Sequence, residues 1–104
     1  MIALLMLLAD MTTFTTGHDL AAVCKSDRAA CLKYIEGAAD MVTGLQGNRS
    51  MPSMICVPAN ATGPELVNIV SSFLANNRDS LDQGAGGLLW AALYDSYPCP
   101  RDGR

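Results

Sequence analysis

The chain has 104 residues, a net charge of −3 and a pI near 4.7, with 50% hydrophobic and 16% charged residues. Half-apolar composition excludes a disordered polymer, and seven scattered Lys and Arg residues leave no basic footprint for nucleic acid. One domain accounts for the length. A chain this short buries only about 60–65% of its unfolded surface, so covalent bracing is expected.

Ile2 to Ala9 form an apolar run, too short to span a membrane and of the length of a secretory h-region. No Lys or Arg precedes it and no clean A-x-A site follows. Residues 1–13 read as a signal peptide, truncated at its front, and residues 14–100 as the mature helical domain. The alternative is a first helix packed on the core. The Thr-rich stretch from Asp10 to His18 lacks a helical period and reads as extended or coil. A short helix is expected over Asp19–Val23, entered at Gly17-His18.

The first main helix is marked by Cys31, Tyr34, Ile35, Ala38, Val42 and Leu45, which fall on one stripe of a 3.6-residue period. Ser26 or Asp27 caps its start, and Gly44 and Gly47 are its stop signals. Residues 46–61 read as loop. Thr62-Gly-Pro-Glu65 has the form of a capping box with proline in the first turn. It opens a second helix with Leu66, Val67, Ile69, Val70, Phe73 and Leu74 inside. Asn76-Asn77-Arg78-Asp79 breaks that pattern.

Ser80-Leu-Asp-Gln83 repeats the capping-box form and predicts the start of a third helix, with Leu81, Ala85, Leu88, Leu89, Ala92 and Leu93 inside. Gly84, Gly86 and Gly87 each cost roughly 1 kcal/mol in a helix interior, which predicts a close helix crossing there. Tyr97-Pro98-Cys99-Pro100 ends the helix, and residues 101–104 should fray. No segment alternates as a strand does. The fold class is all-α: a small disulfide-braced bundle of three main helices plus a short N-terminal one.

Cys24, Cys31, Cys56 and Cys99 are the main chemical signal. Their spacings of 7, 25 and 43 positions do not suit zinc, which takes thiolate pairs at close spacing. A catalytic thiol needs a base, and His18 is the only histidine. Structural disulfides remain, and they imply an oxidising compartment. Of three possible connectivities, the helix order favours one. Antiparallel neighbours bring the start of the second helix beside the end of the third, pairing Cys56 with Cys99 and leaving Cys24 with Cys31. No catalytic, metal or cofactor residue set is legible. Tyr34, Gly37 and Asp40 lie on one helix at i, i+3 and i+6; a carboxylate near a tyrosine suits acid–base work, but the stronger reading is packing, with Gly37 permitting a close helix and Asp40 bonding a neighbouring backbone or cap. Trp90 reads as core or dimer interface. Asn48-Arg-Ser50 and Asn60-Ala-Thr62 match the glycosylation pattern, and Asn60 fits better as a turn residue before the helix.

Phe14-x-x-Gly17-x-Asp19-Leu20, then Cys24, then Cys31-x-x-Tyr34-Ile35-x-Gly37-x-x-Asp40 form one ordered set. Ile55-Cys56-Val57-Pro58, the Thr62 capping box, Leu66-Val67 and Ala92-Leu93-x-x-Ser96-Tyr97-Pro98-Cys99 form a second. Together they resemble the Rap/Tai family of type VI secretion amidase immunity proteins, over about residues 14 to 99. The resemblance implies a small helical periplasmic protein of a Gram-negative bacterium. Such a protein binds a peptidoglycan amidase effector, blocks its active site, protects the producing cell and its siblings, and in several cases is a homodimer. The sequence departs from the family in its incomplete signal peptide and in Asn76–Ser80, which replaces the usual His-Pro-type turn. Family loops between helices plug the amidase cleft, so Asn76, Asn77, Arg78 and Asp79 are the candidate interface. The competing readings are an exported helical interaction or structural module without a toxin partner, and a hydrolase, for which no nucleophile, base and orienter are visible.

Overall fold

The structure, a computed structural model, describes residues 15–100. The signal-peptide reading of residues 1–13 and the fraying of 101–104 lie outside the described residues. The described residues form four α-helices: α1 (Gly17–Ser26), α2 (Arg28–Gly47), α3 (Gly63–Asn76) and α4 (Ala85–Ser96). A 3-10 turn, Arg78–Ser80, stands between α3 and α4. No strands form among the described residues; two isolated bridges, Thr16–Gly84 and Ile55–Pro98, are the only extended pairings there. The expected all-α bundle is the observed one.

The short N-terminal helix is longer than Asp19–Val23 because its cap lies earlier. The Thr16 hydroxyl accepts from the Asp19 N–H at 3.3 Å, and the Asp19 carboxylate accepts from the Thr16 N–H at 3.1 Å. This reciprocal capping box satisfies two groups that helix entry otherwise leaves unbonded. α1 and α2 are separated by Asp27 alone, which ends one helix and caps the next by accepting from the Ala30 N–H at 3.1 Å. The Cys24–Cys31 disulfide spans this elbow.

α2 runs through Gly44 and stops at Gly47, so only the second glycine terminates it. Its expected apolar stripe is buried at one end only: Cys31 and Ile35 are fully enclosed, and Ala38 and Val42 pack on the core's edge. Tyr34 and Leu45, at the two edges of that stripe, are exposed at 37% and 38%. Gly37 faces open space: a Cβ added there would meet nothing within 4 Å, so it admits no neighbour. Asp40 is exposed and takes part in none of the described hydrogen bonds, which corrects its reading as a backbone-bonding residue.

α3 begins as expected, with the Thr62 hydroxyl accepting from the Glu65 N–H at 3.2 Å and proline in its first turn. The reciprocal arm of the box is absent, because the Glu65 carboxylate accepts from the Tyr97 hydroxyl. Leu66, Val67, Val70 and Leu74 are buried.

α4 starts later than its capping-box form predicts. Ser80 closes the 3-10 turn, and the helix enters at Ala85 behind Gly84 without a side-chain cap. The cause is competition for carbonyls. The Gly17 N–H donates to the Gln83 carbonyl at 2.9 Å and the His18 N–H to the Leu81 carbonyl at 3.1 Å. Those two carbonyls satisfy the first turn of α1, and a helix through residues 80–84 would have to withdraw them. The Ala85 N–H in turn donates to the Thr15 carbonyl at 2.8 Å.

The close crossing expected at Gly84, Gly86 and Gly87 does not occur there: none has an atom within 4 Å of its absent side chain. Gly17 provides the close approach instead, since a Cβ there would lie 2.8 Å from Leu81 Cα and collide with Leu88. The core is one cluster contributed by all four helices and Ile55, centred on Leu20, Ile35, Val70, Leu89 and Leu93. Trp90 packs at its rim. No polar or charged residue is fully buried among the described residues.

Candidate functional site

The four cysteines form two disulfides, Cys24–Cys31 and Cys56–Cys99, and no thiol is free. Cys24 and Cys31 sit in the core, whereas Cys56 is exposed and Cys99 half-buried. The second bridge reinforces a short antiparallel pairing. The Cys56 N–H donates to the Tyr97 carbonyl at 2.8 Å and the Cys99 N–H to the Met54 carbonyl at 3.0 Å.

Sequence reasoning missed the device that holds this segment. The Gln46 amide oxygen accepts from the Met54 and Ile55 N–H groups at 2.9 and 3.0 Å, and its amide nitrogen donates to the Ile55 carbonyl at 2.9 Å. One side chain thus supplies the pairing a neighbouring strand would supply. An isolated glutamine at a helix end carries no pattern that announces this.

His18 lies on the surface, with Nε2 3.0 Å from the Asp82 carboxylate. It has no thiol to activate, since all four sulfurs are bonded to one another. No group of three or more His, Cys, Asp or Glu side chains assembles as a metal site among the described residues.

The Tyr97 phenol has its pKa pushed up to about 12 by desolvation, then by the hydrogen bond to Glu65 and its negative charge. The arrangement ties the C-terminal end of α4 to the N-terminal turn of α3 and serves the scaffold.

The residues singled out as interface sit together on the turn after α3. Asn77 caps α3: its backbone leaves helical geometry at φ −132°, and its side-chain amide donates to the Phe73 carbonyl at 2.7 Å. Asn76, Arg78 and Asp79 are exposed. Two concavities meet at this turn. A cleft of about 540 Å³ between α3 and α4 is lined by Ile69, Phe73, Asn76, Asn77 and Asp95. A groove of about 500 Å³ between α1 and α3 is lined by Lys25, Arg28, Ser71, Leu74 and Arg78. The turn therefore borders both hollows, with asparagines on one and arginine on the other, and residues 75–80 line a third, shallow hollow of about 420 Å³ of their own; this polar border is termed the ridge.

Fold and ridge define a small, disulfide-braced helical module that offers surfaces for contact. The chain belongs to the Rap1a immunity proteins, whose family model matches residues 16–99. That match and the resemblance read from the ordered motifs point to the same kind of protein. No curated protein and no solved structure matches the chain.

Proposed function

We propose that this protein binds a type VI-secreted peptidoglycan amidase and occludes its active site, so that the producing cell and its siblings are not lysed. Membership of the Rap1a immunity proteins carries the reading. The ridge Asn76–Asp79 is the part proposed to enter the amidase cleft. It is polar and largely exposed, and the Asn77 side chain anchors it to the end of α3, so a partner can reach it without disturbing the core.

Export to the periplasm follows from the two disulfides, which persist in oxidising compartments. Among the described residues no helix is long and apolar enough to cross a membrane. Homodimerisation is proposed as well. Tyr34, Met41 and Leu45 form an exposed apolar stripe on α2, Met41 being 68% exposed, and such stripes are commonly interaction surfaces.

The test is to co-purify the chain with the product of the adjacent gene and to follow peptidoglycan cleavage by that product. Stoichiometric inhibition is expected. An amidase that neither binds nor slows would remove the reading, leaving an exported helical module without a toxin partner. Light scattering of the purified chain reads the oligomeric state.

A further inference from the structure

The groove between α1 and α3 concentrates charge in a way the whole chain does not. The protein is acidic, at −3. Yet three of the five described Lys and Arg residues, Lys25, Arg28 and Arg78, line this one hollow. None of the three pairs with a carboxylate: the ion pairs among the described residues are His18–Asp82 and Lys33–Glu36. Arg28 spends one N–H on the neutral Asn68 side chain at 2.8 Å, which fixes its direction and leaves its charge and most of its donors free. The neighbouring carboxylate Asp27 is turned to the Ala30 N–H as a helix cap.

A second observation lies beside the same hollow. Ser71 is one of the groove's lining residues, and its hydroxyl is buried just beneath the surface without a hydrogen-bond partner. A helical serine ordinarily returns its hydroxyl to the carbonyl four residues back. A buried hydroxyl left unbonded costs about 1–3 kcal/mol until something satisfies it. Apolar atoms of Ala21, Leu74 and Leu81 complete the floor. The volume falls within the roughly 300–1,000 Å³ range of built binding clefts.

We propose that this groove seats an acidic segment of the partner protein, a carboxylate side chain held by Lys25, Arg28 and Arg78 with an adjacent small apolar side chain against the floor. The identity of that partner as the amidase rests on the functional reading above; the chemistry of the groove does not. Carboxylate fits better than a bulky polyanion because the floor is apolar and the rim carries both lysine and guanidinium. Arg78 lies at once on the groove and on the Asn76–Asp79 ridge, so a partner gripping the ridge lays its flank across the three cations.

Two experiments separate the groove from the function. In the first, the isotopically labelled full chain is titrated with acetylated, amidated tetraglutamate and followed by amide NMR. Saturable shifts are expected at residues 25, 28, 71 and 78, lost between about 0.05 and about 0.5 M NaCl as screening shortens the field, and lost in Lys25→Glu/Arg78→Glu. Equal shifts around Lys33 and Arg49, or none in the groove, overturn the proposal.

In the second, a type VI-secreted amidase that the wild-type chain is tested against is titrated with wild type, with Lys25→Glu/Arg78→Glu and with Arg78→Lys. The double reversal should weaken binding at least tenfold, with most of the salt dependence gone, and the lysine variant should bind nearly as wild type. Unchanged affinity in the reversal overturns the groove while leaving the immunity reading intact. An amidase that ignores the wild-type chain removes the immunity reading and leaves the peptide titration to decide the groove. A self-dimer that dissociates in the reversal assigns the groove to a second copy and overturns the proposal. Unaltered thermal unfolding of each variant guards against misfolding.

Discussion

Gly17 sits where no side chain fits. It is buried at the entry of α1, and a methyl group would lie 2.8–2.9 Å from the backbone of Leu81. Gly17→Ala should destabilise the protein by about 1–3 kcal/mol, the usual cost of forcing atoms into a packed site, measured as a lower midpoint in denaturant. Gly86→Ala and Gly87→Ala should do the opposite. Both lie in α4 with nothing within 4 Å, so alanine adds roughly 0.5–1 kcal/mol through helix propensity. Sequence alone pointed to the wrong glycines: it shows a cost in a helix, but which glycine meets a neighbour depends on contacts distant along the chain. Gln46 illustrates the same limit. Gln46→Ala should cost about 1–2 kcal/mol by stripping three hydrogen bonds from Met54 and Ile55, read again by denaturant midpoint. Tyr97 gives a pH signature. Its phenol has a normal pKa of 10.0 in the unfolded chain and one pushed up to about 12 in the fold. The folded state therefore holds this proton more tightly, and the stability it contributes is whole below pH 10 and lost as pH rises towards 12. Denaturation at both ends of that window should show the loss in wild type and a much smaller one in Tyr97→Phe.

At the level of elements, periodicity and capping chemistry made α2 and α3 readable. Cys31 and Ile35 turn inward in α2, and Leu66, Val67, Val70 and Leu74 turn inward in α3, at the spacing the stripe demands. Starts and stops were less legible where another element competed for the same groups. Thr16-Gly-His-Asp19 is itself a hydroxyl–carboxylate box and marks the true start of α1. Ser80-Leu-Asp-Gln83 has the same form, but its carbonyls are drawn away to α1. In the second half of α2 the side chains of Ala38, Ala39, Val42 and Gln46 meet other described segments, while Met41 and Leu45 stay exposed, which a helical wheel does not reveal. The disulfides differ in leverage. Cys56–Cys99 closes a separation of 43 residues and Cys24–Cys31 one of 7. By the entropy of loop closure these are worth about 4 and about 2.5 kcal/mol. Replacing Cys56 and Cys99 by serine should lower the unfolding midpoint more than replacing Cys24 and Cys31, when both variants are compared under oxidising conditions. An equal loss would show that burial of Cys24 and Cys31 outweighs loop length.

For the whole molecule, the design is a braced helical frame with one polar ridge bordering two hollows. The ridge residues Asn76, Asn77, Arg78 and Asp79 were legible as a break in the α3 pattern. The hollows were not, because Arg78 stands fifty residues along the chain from Lys25 and Arg28. Family membership supplies the kind of function; the frame shows where a partner finds room. The direct measurement is hydrogen exchange of the chain alone and in the presence of the amidase proposed as its partner. Protection concentrated at residues 76–80 and along the α1–α3 groove is the predicted result. Protection confined to the exposed Tyr34–Leu45 stripe of α2, with the ridge exchanging as in the free chain, would contradict it.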